Sequence, residues 1–201
     1  MPDNCTLISF DITNLFPNVP LEESLDILKC ALVESRLPDV VVEQLYDLLR
    51  VVLQQNFFTF NNCVYVQNKG LAMGSPLSPF LAELFLNNME SKIISKMASF
   101  RHIVKWVRYV DDVFVVFRGT LEDINQFLLS LYGFHSNINF TMETEHNASL
   151  PFLDLLIKRQ NSNLSFSIFR KQTATDHVIP SESSHPIQHK SASFRSYFFG
   201  S

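Results

Sequence analysis

Glycine is scarce in this chain, five residues in 201, set against nine prolines and nineteen phenylalanines. That excludes a flexible linker or fibrous repeat and makes each glycine informative about its backbone. Cysteine is scarce too: Cys5, Cys30 and Cys63 are odd in number and spaced for neither a disulfide framework nor a zinc cluster. A reducing, intracellular compartment is the simpler expectation. No run approaches the roughly 18 apolar residues of a membrane helix; the longest are pieces such as FLAELFL. The start, MPDNCTLISF, lacks a charged segment with an apolar one behind it, so no membrane span and no secretion signal are expected. The expected location is therefore nuclear or cytoplasmic, and the glycosylation triplets at Asn4 and Asn147 are read as chance. Positive charge is also lacking overall: a net charge of -4 argues against an extended basic face for nucleic acid. From residue 155 onward, however, six basic residues face two acidic ones, and this is where phosphate contacts are expected.

What the chain has in quantity is apolar. Hydrophobic residues make up 46% and aromatics 12%, enough for one sizeable core. Strand-like and helix-like periodicities alternate, without an internal repeat. TLISFDI, Thr6 to Ile12, is β-branched and aromatic and reads as a strand, with turn punctuation at Pro17 to Pro20. Leu25, Leu28 and Leu32 recur at helical spacing behind Glu22 and Glu23, charges that suit a helix N-terminus. A second helix is expected from Asp39 to Gln54, with Val42, Leu45, Leu49 and Val52 on its buried stripe. A hairpin turning at Asn61 and Asn62 follows, because Asn accepts the positive φ of tight turns. After a glycine and proline loop, a long helix is expected from about Pro79 to Met97, then two strands around a turn at Asp111 and Asp112. A helix near Leu121 to Tyr132 precedes short strands expected near Asn139 to Glu143, Phe152 to Ile157 and Leu164 to Phe169. A last helical piece is expected from His189 to Phe199. The class is α+β.

Two adjacent carboxylates interrupt the apolar stretch KWVRYVDDVFVVF, and Asp11 ends another apolar strand. Alone, Asp-Asp between strands is an ordinary exposed turn and Asp11 an end-of-strand cap. The flanks argue otherwise, since near-continuous Val, Phe and Tyr imply a covered sheet. A carboxylate beside a core is costly unless paired, hydrogen-bonded or bound to a metal. Three together repel, which makes a divalent cation their natural partner. Mg²⁺ commonly takes one or two carboxylates and completes its shell with water and phosphate, so the pattern suits phosphoryl transfer better than a closed structural site. Between these sites lies KGLAMGSPLSP, Lys69 to Pro79, whose Gly70 and Gly74 allow close backbone approach to a ligand. Amides at the helix start behind it suit an anion or a base; a plain surface loop is the alternative. His185 and His189, four apart, would form a metal pair if helical, although Pro186 between them speaks against it.

In this order, FDITNLF, GLAMGSPLSP and RYVDDVF resemble the palm motifs of reverse transcriptases. FTMETEHNASLPFLDLLIKR, FRKQTATDHVIP and SSHPIQHKSASFRS are similar to the Penelope-like retroelement members of that class. The resemblance implies a right-hand polymerase palm over residues 1–171, a ferredoxin-like antiparallel sheet packed on helices, and a partial thumb over 172–201. It implies two Mg²⁺ ions, with Mn²⁺ as a substitute, and nucleotidyl transfer from a dNTP to the 3′-hydroxyl of a DNA primer on an RNA template. Asp11 would then be a metal ligand, with the backbone carbonyl of Ile12 available to the second ion. Asp111 would be the principal ligand of the hairpin and Asp112 its lesser partner. Phe16, five residues after Asp11, matches the family's steric gate against a 2′-hydroxyl, a core phenylalanine being the alternative. Gly70 and Tyr109 would contact the nucleotide or template base. Leu153, Asp154 and Leu155 would form the primer grip, and Lys69, Arg170, Lys171 and Lys190 would meet nucleic-acid phosphates.

The chain departs from the family pattern in three places. Few residues precede Asp11, so the basic fingers are expected outside this chain, with the rest of the thumb and any endonuclease domain. Lys69 stands where many reverse transcriptases have Gln, and NINFTME offers no lysine to protonate pyrophosphate. Two other functions stand beside polymerisation: a catalytically inactive remnant with at most weak nucleic-acid binding, and a palm-like metal enzyme acting on free nucleotides, such as a cyclase. Primer-grip and thumb segments have no purpose in the latter.

Overall fold

The computed structural model describes residues 4–96, 98–160, 163–171 and 179–199. In chain order the elements are β1 (Cys5–Ile12), the one-turn helix α1 (Leu15–Asn18), α2 (Leu21–Glu34), α3 (Asp39–Gln54), β2 (Phe57–Phe60), β3 (Cys63–Val66) and α4 (Ser78–Lys96). A 3₁₀ turn (Ala98–His102) leads into β4 (Ile103–Tyr109) and β5 (Asp112–Arg118), followed by α5 (Leu121–Tyr132) and β6 (Phe140–Thr144). The last elements are β7 (Ser149–Phe152), β8 (Leu155–Gln160), β9 (Asn163–Ile168) and α6 (Ile187–Phe199).

The central sheet has the order β4-β5-β1-β6, and every neighbouring pair is antiparallel. Helices intervene between β1 and β4 and between β5 and β6, which makes this the βαββαβ ferredoxin-like arrangement. Side chains alternate across each strand, so each face of β1 carries its own set. Ile8, Phe10 and Ile12 join Val113, Val115 and Phe117 of β5 over the buried flanks of α4 and α5. Phe10 lies 6.2 Å from Trp106, 6.0 Å from Phe127 and 6.3 Å from Phe140, ring to ring. Burying each such ring contributes about 2–3 kcal/mol. The opposite face carries Cys5, Leu7 and Val116, which pack on Leu150 and Ile157 of the second sheet, β7-β8-β9. A strand covered on both faces has no polar alternation to show, which is why β1 and β5 read as near-continuous apolar runs.

Several sequence expectations need adjustment. On α3, Val42 and Leu53 are buried but Val52 is exposed. A period of 3.6 carries the stripe from Val42 through Tyr46 and Leu49 to Leu53, one position beyond the expected residue. The segment expected as one strand, Phe152 to Ile157, is the junction of β7 and β8, where Leu153 turns the chain at φ 54. α6 begins at Ile187, so His185 precedes the helix and the two histidines share no helical face. The His185 ring instead bonds the Ser183 hydroxyl. The expected boundary between palm and thumb, at residue 172, lies outside the described residues. Cys5, Cys30 and Cys63 are free thiols. Among the described residues no helix is long and apolar enough to cross a membrane.

Candidate active site

The acidic residues converge at one end of the central sheet because the hairpin and β1 pair there. Asp11 and Asp112 are direct cross-strand partners at the end of the β1–β5 ladder. The Ile12 N–H donates 3.0 Å to the Asp111 carbonyl and closes the register one residue further on. The turn itself is two residues, Val110 and Asp111, between the paired Tyr109 and Asp112. Val110 adopts φ 55 while Asp111 is not left-handed, the pattern of a type II′ turn, where glycine is the ordinary choice.

Asp11 is exposed, and Asp111 and Asp112 are half-buried. The Asp112 carboxyl is pushed above the ordinary carboxylate range, first by burial, then by the Asp111 and Asp11 charges, with Lys171 opposing. This is an under-neutralised acidic group, the environment a divalent cation relieves. Among the described residues no three His, Cys, Asp or Glu side chains are gathered closely enough to hold a metal alone. The side chains alone do not make a closed structural metal site; a cation here would need water or phosphate for the rest of its ligands.

Asp11 and Asp112 line a cleft of about 610 Å³ between the two sheets. Thr141, the register partner of Asp11, and Glu143, the partner of Ser9, line it from β6. Leu153, Asp154 and Lys171 line its other wall. Leu153 and Leu155 are 39% and 42% exposed, but only Leu153 lines the cleft; Leu155 lies outside it. The Phe169 N–H donates 2.8 Å to the Asp154 carbonyl and ties this turn to the end of β9. Arg170 is exposed between two cleft-lining residues, Phe169 and Lys171. Lys190 lies elsewhere, in a groove beside α6, with its ammonium 2.6 Å from the Ser181 carbonyl.

The glycine loop docks on the segment after Asp11. Gly70 has φ 73, and a Cβ there would lie 2.4 Å from the Pro17 carbonyl oxygen. The Leu71 N–H donates 2.8 Å to the Phe16 carbonyl, and Leu71 is buried. Gly70 is thus fixed by a backbone contact within the chain. Phe16 is half-buried, partly packed on the main core, and held by that same contact. The Ser78 hydroxyl at the start of α4 bonds the Ala72 carbonyl and pins the loop from the other side. Lys69 is exposed beside it, and Tyr109 is 63% exposed at the hairpin tip. The Ile12 side chain is buried beneath the site.

Sequence reasoning missed the brace behind the hairpin. Arg108 reaches Glu83, Asn87 and Glu90 on α4, and Trp106 donates 2.8 Å to Glu90. Its signal was present: positions 83, 87 and 90 share one helical face, and 106 and 108 share one strand face. It also missed Glu145, which pairs with Arg159 at 2.5 Å and fastens the second sheet to the end of β6.

Residues 1–146 match the family model for reverse transcriptase (RNA-dependent DNA polymerase). No curated protein matches the sequence. Among solved structures, apo telomerase from Candida tropicalis, truncated from its C-terminal domain, is similar at TM-score 0.61 and 11% identity. That match covers 81% of this chain and 35% of the telomerase chain. Telomerase from Candida albicans, in complex with a fragment of telomeric RNA, is similar at TM-score 0.58 and 14% identity, over 80% of this chain and 31% of that one. The chain thus spans about a third of the length of these telomerase chains, and the likeness is one of fold.

Proposed function

The chain belongs to the reverse transcriptase family, and from that premise we propose that it is the palm of an RNA-directed DNA polymerase from a Penelope-like retroelement. It takes an RNA template, a DNA primer and dNTPs, and acts in the nucleus or cytoplasm. The observation that carries this reading is the register of Asp11 opposite Asp112, with Asp111 in the adjoining turn, at the mouth of a cleft between two sheets. Supporting the subfamily are the Leu-Pro-Phe-Leu-Asp and His-Pro-x-x-His-Lys segments.

Asp11, Asp111, Asp112 and the Ile12 carbonyl would hold two Mg²⁺ ions, which when bound supply charge neutralisation for the attacking oxygen and the leaving pyrophosphate. The remaining work belongs to positioning, which accounts for a large share of catalysis in phosphoryl chemistry. Leu153 and Asp154, on the cleft wall across from the carboxylates, would seat the primer terminus together with the adjoining Leu155. Phe16, anchored through its own carbonyl to Leu71, would meet the sugar of the incoming nucleotide, with Gly70 and Tyr109 at its base. Lys171, which faces Asp112 electrostatically, would meet phosphate with Arg170. Lys69 and Lys190, which lie outside the cleft, would meet nucleic-acid phosphates.

The division between Asp111 and Asp112 is the finer part of the proposal. Asp111 lies in the turn and remains the principal ligand in this reading; Asp112 has the strand position and the cleft surface. Primer extension on an RNA template tests it, run with the chain and with the longest reading frame that contains it. Asp11→Asn and Asp111→Asn should each lower extension by about a hundredfold or more, the factor that loss of several kcal/mol of charge stabilisation produces. A loss under tenfold at Asp111→Asn overturns the two-metal assignment. Template binding without extension in either form would establish the remnant reading in its place.

A further inference from the structure

The side chain of Arg108 is 7% exposed and surrounded by acceptors. Nη1 donates 2.7 Å and Nη2 3.1 Å to the two oxygens of Glu83. Nε donates 2.9 Å and Nη2 3.1 Å to those of Glu90, and Nη2 donates 2.8 Å to Asn87. Two bidentate carboxylates and an amide are more than the attachment of one strand to one helix requires. The geometry also has a direction. Nη1 reaches past its own strand to the Val110 carbonyl, at 3.1 Å.

Val110 is the residue that turns the carboxylates toward β1, and it does so at φ 55, a region that β-branched residues rarely enter. A strained residue persists only where its surroundings over-determine it. The peptide that follows Val110 leads directly into Asp111, whose carbonyl accepts from Ile12. We propose that Arg108, braced on α4 by Glu83, Asn87 and Glu90, is a positioning residue that holds the Val110 peptide so that Asp111 and Asp112 stand in register with Asp11. Because α4 begins at Ser78, which also pins the glycine loop through Ala72, the brace joins that loop's helix to the carboxylates. The pairing supports the guanidinium as a permanent charge: against the lowering effect of burial, Glu83 and Glu90 hold Arg108 above its ordinary range, and Arg108 holds Glu83 below its own.

The test separates holding the turn from holding the fold. Arg108→Lys keeps a cation among the glutamates but has no planar fork to reach six acceptor oxygens at once. Amide exchange at Ile12 should quicken at least tenfold in this variant, while Glu145, whose N–H bonds Leu7 on the far side of β1, should keep its protection. Val110→Gly, which removes the strain that Arg108 opposes, should restore Ile12 to within about threefold of its original rate when added to Arg108→Lys. A purely structural role gives the other result, with Ile12 and Glu145 loosening together and no rescue by glycine, and that result overturns the proposal. If Arg108→Lys does not fold, recovery of folding by Val110→Gly supports the turn-holding role, and failure to recover refutes it. A second arm rests on the polymerase reading and uses Mn²⁺ alone, followed by electron paramagnetic resonance. Binding should weaken at least tenfold in Arg108→Lys and recover with Val110→Gly. Absence of Mn²⁺ binding by the native chain would count against the metal site, and the exchange arm would still decide the role of Arg108.

Discussion

Two β-hairpins in this chain solve the same geometric problem by opposite means. β2–β3 turns through Asn61 and Asn62, both left-handed at φ 49 and 57, residues whose short polar side chains tolerate that region. Its strands are four residues long and exposed throughout, with Phe58 stacked on its cross-strand partner Tyr65 at 5.4 Å. Everything it needs is local. β4–β5 turns through Val110 and Asp111, a pair with poor turn propensity, and is closed by Arg108 of β4, itself braced on α4, and by the Ile12 N–H from β1. The turn at Leu153 and Asp154 follows the second pattern, with Leu153 at φ 54 and the Asp154 carbonyl accepting from Phe169. The turns beside the cleft-lining Asp112 and Asp154 thus place an apolar residue where Asn or Gly would be easier, and each accepts a backbone hydrogen bond from a residue remote in sequence. Local propensity has given way to placement of a functional group, and tertiary structure supplies what the turn lacks.

The comparison breaks most visibly at Arg108. Arg108→Met leaves Glu83, Asn87 and Glu90 facing no cation around a buried position, and removing one partner of such a pair costs about 3–5 kcal/mol. Glu83 is 53% exposed and can recover water, which places the expected loss near the lower end. Truncating the other hairpin's strongest pair, Phe58→Ala, should cost no more than about 1 kcal/mol. Urea midpoints of the two variants measure the contrast. Equal losses would mean that the two hairpins are held alike.

Exchanging the turn chemistries gives a smaller and opposite pair of effects. Val110→Gly removes left-handed strain of about 1–3 kcal/mol and gives back about 0.5–1 kcal/mol in unfolded-state entropy. The net expectation is a gain of about 1 kcal/mol, with Arg108 intact. Asn61→Val recreates the Val110 situation without an arginine to hold it, and should lose about 1–2 kcal/mol of local hairpin stability. Amide exchange across the Thr59–Val64 pair reads the second effect, since the exposed hairpin can open without the core. A destabilising Val110→Gly would show that the turn is not strained and would remove the reason for the brace.

What could be read from the sequence follows the same division. Asn61 and Asn62, the helix over Asp39 to Gln54 and the strand ending in Asp11 were legible, because their signals are local: turn chemistry, 3.6-residue period, β-branched run. The aspartates were legible as carboxylates at the ends of apolar strands and Gly70 as a point of close backbone approach, though the partner of that approach, the Pro17 carbonyl, became clear only from the fold. Leu153 carries no turn signal, so β7 and β8 merged into one expected strand. Arg108 and its acceptors on α4 lie 18 to 25 positions apart, and nothing in a linear pattern says which helix face meets which strand face. That Asp112 rather than Asp111 pairs with Asp11 depends on register, which a shift of one residue would reverse.

The smallest expected effect separates the hairpins by charge. Asp112 has its pKa raised in the folded chain by burial and by Asp111 and Asp11, so the native state binds this proton more readily than the unfolded state does. Its contribution is fully present below the ordinary carboxylate range and is lost as pH rises through the raised native value. At neutral pH the ionised group therefore opposes folding, and Asp112→Asn, close in shape and uncharged, should stabilise the chain at pH 7 and not at pH 3. Glu83 and Asp123 are lowered and pull stability the other way in acid, but both are common to native and variant chains and cancel in the difference. The gain should be modest, because much of the carboxyl stands in water that screens its neighbours. Denaturation midpoints at the two pH values, each with and without Mg²⁺, test the sign and its origin. Added Mg²⁺ should narrow the gain at pH 7, since a bound cation offsets the same repulsion that the asparagine removes. Asn61→Asp, set into the other hairpin with no carboxylate opposite, should show no such dependence on Mg²⁺. A gain at pH 7 that Mg²⁺ leaves unchanged would make Asp112 a misplaced charge in a turn and no part of a cation site.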